Sequence, residues 1–171
     1  MSGQSTEIDS LKQLLPRQTG ADRLNTLLSL AYQFYDFNID DAHQYALDAL
    51  TEARKIKNKP GEKHALTLIG EYYYNISDSH QARDLLKQAD QISLKEGGNL
   101  YTAYNYIIGA NIYLEESNRD TAQIYFQKAF KLLEKENHYK IKYYSYFCYS
   151  GYLFDQNQLD EAKKILEVLY V

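Results

Sequence analysis

The stretch from Leu66 to Ala89 reads LTLIGEYYYNISDSHQARDLLKQA. Leu66, Ile69, Gly70 and Tyr73 recur at i, i+3, i+4 and i+7, which predicts one apolar stripe on an α-helix. Asn75 to His80 is polar and interrupts that stripe. Asp78 followed by Gln81 has the form of a capping box, so a second helix is expected to start there. Ala82, Leu85, Leu86 and Ala89 then supply its apolar face. The same small residues recur every forty positions, as Ala42, Ala82, Ala122 and Ala162. Ala49, Ala89 and Ala129 follow seven residues behind, with Leu169 in the fourth place, and Ala46, Leu86, Phe126 and Leu166 lie between the two columns. Such a period in fixed register predicts stacked helix pairs.

Composition agrees with a helical array. The 171 residues are 44% hydrophobic and 25% charged, the proportions of an ordinary globular chain. Two prolines, Pro16 and Pro60, and eight glycines leave little to break helices. No apolar run approaches the roughly 18 residues of a membrane span, so no direct membrane contact is expected. Net charge is −4 and the basic residues are dispersed, without the stripe that phosphate neutralisation needs, which argues against nucleic acid. One cysteine, Cys148, excludes an internal disulfide and a multi-cysteine metal site, and its aromatic setting suggests a small buried hydrophobe. The unusual component is tyrosine, at 18 residues with no tryptophan.

The spacing Leu66-x2-Ile69-Gly70-x2-Tyr73-x8-Ala82-x3-Leu86-x2-Ala89 resembles the tetratricopeptide repeat signature. Tyr106-x2-Gly109-Ala110-x2-Tyr113-x8-Ala122-x3-Phe126-x2-Ala129 repeats it, as does Tyr146-x2-Tyr149-Ser150-x2-Leu153-x8-Ala162-x3-Leu166-x2-Leu169. Leu27-x2-Leu30-Ala31-x2-Phe34 opens the first unit, with one residue fewer before Ala42-x3-Ala46-x2-Ala49. The resemblance implies an all-α, right-handed solenoid of antiparallel helix pairs, with four units at about 21–60, 61–100, 101–140 and 141–171. The period exceeds the family's usual value of about thirty-four, and the family's proline after the second helix is absent. Long units of this kind are similar to those of bacterial peptide-responsive regulators, kinesin light chains and the input regions of bacterial sensor histidine kinases. The phrases Ile8-Asp-Ser-Leu-Lys12, Asp22-Arg-Leu-Asn-Thr-Leu-Leu28 and Tyr45-Ala-Leu-Asp-Ala-Leu50 resemble the kinase input regions most.

Residues 1–5 read as a leader before an excised domain. Residues 6–20 read as a covering helix and linker, with Thr6 and Asp9 at its start and Leu11, Leu14 and Leu15 on the stripe that covers the first unit. The last helix has no polar cap of the sort repeat stacks need. Continuation past Val171 is therefore expected, with Ile165, Leu169 and Tyr170 as an end face through which a homodimer could form.

In this family the first helix of each unit lines the concave face where ligands lie. Mapped onto this sequence, that face comprises Asn25, Tyr32, Tyr35 and Tyr74, then Tyr104, Ile107, Asn111, Tyr144, Phe147 and Phe154. Tyrosines suit peptide recognition because each ring buries apolar area at low entropic cost while its hydroxyl finds a partner. The set holds Asn25 and Asn111 but no lysine or arginine, so the carboxylate clamp of chaperone-tail binders is not expected. The same rings could instead fill space between helices.

Catalytic and metal chemistry find no support. His43, His64, His80 and His138 fall in different elements with no i, i+4 pair. His43 and His80 are expected to face solvent at second-helix starts. Asp40, Asp120 and Asp160 also fall there, where the helix dipole favours a carboxylate and capping accounts for them. The sequence thus predicts a non-catalytic protein- or peptide-binding module without cofactor or metal. By resemblance it is the sensory or regulatory domain of a larger bacterial signalling protein, which would favour a periplasmic setting. The other reading is a cytoplasmic scaffold or a segment of a peptide-responsive transcriptional regulator.

Overall fold

The computed structural model describes residues 2–96, 100–134 and 139–167. Among them are nine α-helices and no strand: α1 (Ser2–Leu14), α2 (Gly20–Phe34), α3 (Ile39–Lys55), α4 (Lys59–Asn75), α5 (Ser79–Glu96), α6 (Leu100–Glu115), α7 (Arg119–Leu133), α8 (Tyr139–Asp155) and α9 (Leu159–Glu167). The chain divides into two compact units, Met1–Glu96 and Gly97–Val171.

In the first unit α2 packs on α3 and α4 on α5, with α3 also against α4. The alanine columns lie where helices approach. Ala42, Ala46 and Ala49 are at most 5% exposed, and Ala82 and Ala89 at most 1%. Gly70 belongs to the same small-residue scheme: a Cβ there would stand 2.8 Å from Leu86 Cδ2 on α5. One core joins Leu24, Leu27, Ala31, Ala49, Ala65 and Ile69. A second joins Leu30, Phe34 and Ala42 to α1 through Ile8, with Leu11 and Leu15 alongside.

Helix α1 therefore covers the first pair, but from a different register than expected. It begins at Ser2 rather than at residue 6, and its stripe is Ile8, Leu11 and Leu15. Leu14, expected on that stripe, is 49% exposed. Pro16 disfavours helix at the preceding residue, so α1 gives way to a 3-10 turn at Leu15–Arg17. Gly20, at φ +62, admits the left-handed turn into α2. Its N–H donates to Glu52 Oε1 at 3.2 Å, tying the start of α2 to the end of α3.

Four turns share one stop. Lys57, Ser77, Ser117 and Asn157 all have positive φ, near 60°. In the second pair the Ser77 N–H donates to the Tyr74 carbonyl at 3.0 Å and the Asp78 N–H to the Tyr73 carbonyl at 2.8 Å. Those two bonds form a Schellman motif, repeated by Ser117/Asn118 and Asn157/Gln158. The next helix is then capped. Asp78 Oδ1 accepts the Gln81 N–H at 3.0 Å, and Asn38 and Asn118 accept the N–H groups of Asp41 and Thr121. The sequence pair Gly97–Gly98, a helix-ending signal after α5, lies outside the described residues.

In the second unit α6 pairs with α7 and α8 with α9, and α8 also touches α6 and α7. Its core is aromatic. Phe126 is fully buried, with ring centroids 5.1 Å from Tyr149 and 5.5 Å from Tyr152. Phe130 stacks on Tyr146 at 5.2 Å. Gly109 makes room for Tyr125, whose ring carbons would lie 2.8 Å from an added Cβ. Tyr106 and Tyr113 both meet Tyr125 edge to face. A share of the tyrosines thus serves packing.

Candidate functional site

The two units carry the mapped face separately. In the first, Asn25 is exposed and Tyr32, Tyr35 and Tyr74 are half-buried. The Tyr35 hydroxyl accepts a hydrogen bond from Asn75 Nδ2, the residue forty positions on, and Asn75 also donates to the Glu71 carbonyl at 2.7 Å. Helix α4 is buried all round from Gly61 to Glu71, and it encloses Lys63, His64 and Glu71 as well as apolar residues. Glu62 accepts from Arg54 Nε at 3.0 Å and Lys59 Nζ at 2.7 Å. Burial alone would raise the Glu62 carboxyl, but the two cations outweigh it and hold it below the ordinary carboxylate value. Beside this pair a cleft of about 300 Å³ lies between α4 and α5, floored by Leu66 and Ile92 and edged by Gln88, Gln91 and Lys95. Its polar residues carry no periodic signal in the sequence.

The second unit brings three of the mapped residues together. Tyr104 and Tyr144 meet edge to face with centroids 5.7 Å apart. Asn111 Nδ2 donates to the Tyr144 hydroxyl at 3.3 Å and reaches Cys148 Sγ at 3.5 Å. Burial pushes the Cys148 thiol above its ordinary value, against the opposing hydrogen bonds from Asn111 and Tyr144, so it stays protonated near neutral pH. Tyr104, only 8% exposed, is a correction, and so is Ile107: it is fully buried and offers no surface. It was mapped by position, but α6 has apolar residues on all sides and the periodicity does not reveal which one turns inward.

Helix α8 behaves differently. Tyr143, Phe147 and Phe154 are 46%, 59% and 66% exposed. They fall with Lys140 and Gly151 on one face, while Ile141, Ser145 and Tyr152 on the opposite face are buried. Gly151 has nothing within 4 Å of an added Cβ. Tyr143 went unnoticed in the sequence because every face of α8 carries an aromatic. At the chain end, Ile165 is half-buried on α9, while Leu169 and Tyr170 lie outside the described residues.

His43 is a further correction. It is half-buried: one face of its ring lies flat on Tyr72, centroids 3.9 Å apart and planes 2° from parallel. Its Nε2 is buried without a hydrogen-bond partner, and burial lowers its pKa against the opposing charge of Asp40. His80 is exposed, with Nδ1 3.8 Å from Asp84. Among the described residues no three His, Cys, Asp or Glu side chains gather to hold a metal ion, and no helix is long and apolar enough to cross a membrane.

Serial helix pairs with small residues at each crossing define an all-α helical-repeat solenoid, tetratricopeptide-like in plan. The fold is similar to that in the crystal structure of MamA, with a TM-score of 0.55 over 94% of this chain and 82% of that one, at 19% identity. No family model matches the chain, and no curated protein matches it. At such identity the likeness is one of fold.

Proposed function

We propose that this protein is a non-catalytic protein- or peptide-interaction module whose principal contact surface is the aromatic face of α8. The observation that carries this reading is the exposure of Tyr143, Phe147 and Phe154 on one helical face. Covering one such ring is worth about 1.5–3 kcal/mol, so a row of them left in water favours an interacting surface. Tyr144, beside the row on the same helix, adds a hydroxyl already oriented by Asn111. The resemblance to sensor-kinase input regions supports the finer reading, a sensory or regulatory domain of a larger bacterial signalling protein. A bound segment would act on the α6–α8 packing through Tyr104, Asn111 and Tyr144, and so on the rest of that helix array.

The test is selection from a display library of short random peptides on immobilised protein, with counterselection on the Phe147→Ser/Phe154→Ser variant. Peptides rich in apolar side chains, enriched on the native protein and lost on the variant, are the expected result. Equal enrichment on both proteins would overturn the assignment to α8.

A further inference from the structure

The exposed strip on α8 has a symmetry of its own. Lys140 stands at one end and the exposed Asp155 at the other, about 22 Å apart along the helix. Phe147 lies at the midpoint. Tyr143 and Tyr144 stand before it, and Gly151, with its open space, after it. Turned end for end, the strip largely matches itself: Lys140 falls opposite Asp155, Phe147 beside its own copy and Tyr144 opposite Gly151, while Phe154 comes level with position 141, next to Lys140. A large residue meets a small one, and a cation meets an anion.

We infer that α8 pairs antiparallel with α8 of a second copy of this chain, forming a two-fold symmetric dimer. The inference rests on the reading of α8 as the contact face and names its occupant. A two-fold interface is self-complementary by necessity, and each favourable contact in it occurs twice. Antiparallel pairing also sets the two helix dipoles against each other favourably. Gly151 finds a reason in it. A glycine inside an exposed helix costs about 1 kcal/mol relative to alanine. No neighbour in its own chain requires it, whereas the close approach of a second helix does. Because a single helix pair lies at the small end of stable interfaces, the dimer is expected to have a Kd of about micromolar or weaker and to dissociate on dilution below it.

Sedimentation equilibrium of the full chain over a concentration series tests this. Lys140→Glu and Asp155→Lys are each expected to weaken association by about fivefold, since each breaks two exposed ion pairs. The double reversal is expected to restore it. Phe147→Ser weakens it by more than about tenfold, and Leu166→Lys on α9 leaves it unchanged. A monomer at every concentration, or a double reversal no better than either single variant, overturns the pairing. Loss of association through Leu166→Lys alone overturns it too, by moving the contact to the chain end. If the chain is monomeric yet display selection still yields peptides dependent on Phe147 and Phe154, the dimer fails and the interaction module stands.

Discussion

Tyr104 and Tyr144, forty residues apart in sequence, meet edge to face with ring centroids 5.7 Å apart. The repeat period thus becomes a direct contact between equivalent positions on α6 and α8. Asn111 fastens it by donating to the Tyr144 hydroxyl. The contact fixes α8 against α6 on one side and leaves the Phe147 side outward.

Removing that hydroxyl isolates its share. Tyr144→Phe keeps the ring contact and deletes the hydroxyl that accepts from the half-buried Asn111 amide and bonds the Cys148 thiol. A loss of about 1 kcal/mol is expected in urea unfolding, with the slope unchanged. A loss above about 3 kcal/mol would mean that the hydroxyl holds more than these two bonds.

Two glycines should respond in opposite directions to one substitution. Gly109→Ala drives a Cβ to 2.8 Å from the Tyr125 ring, whose own contacts to Tyr106 and Tyr113 limit its retreat. A net loss of about 1–2 kcal/mol is expected after the gain in helix propensity. Gly151→Ala meets nothing and is expected to add about 1 kcal/mol. Chemical denaturation of dilute protein measures both.

The repeated turns are strained at non-glycine residues. Ser77 and Ser117 hold φ near 60° without the freedom of glycine. Replacing each by glycine is expected to raise stability by about 0.5–1 kcal/mol, the relief of left-handed strain less the added unfolded-state entropy. No change in thermal midpoint would show that the serine side chains compensate within the turn.

His43 gives the chain an acid-side weakness. Its folded pKa lies below the ordinary value, because burial disfavours the imidazolium. Below about pH 6.5 the unfolded chain therefore binds this proton more readily than the folded one, and stability falls as pH drops through that range. His43→Phe keeps the stack on Tyr72 and removes the titration. Thermal midpoints from about pH 5 to about pH 7, on either side of the ordinary value, should vary less in the variant; an identical slope would assign the effect elsewhere.

The architecture was legible because alanine is informative at helix crossings. Ala42, Ala82, Ala122 and Ala162 are buried at matching places, and the Asp78–Gln81 cap forms where its spacing predicts. The face was legible only in part. Tyr104, Asn111 and Tyr144 do meet, but Tyr104 and Ile107 on the same mapped face are buried. On α6 and α8 apolar residues occupy every side, so periodicity cannot say which are covered; that depends on neighbouring helices. His43 and Leu14 went astray for a related reason. Tyr72 comes from another helix and is distant in sequence, and a one-residue rotation of α1 exchanges Leu14 for Ile8.

Central to the proposed function is the binding of protein segments by the exposed aromatics of α8. Its most direct test is calorimetric titration of a display-selected peptide into the native protein and into Phe147→Ser/Phe154→Ser. Both substitutions replace exposed rings, so the variant is expected to keep the native thermal midpoint within a few degrees. Binding through these rings predicts a loss of affinity of about tenfold or more. Unchanged affinity in a folded variant would contradict it.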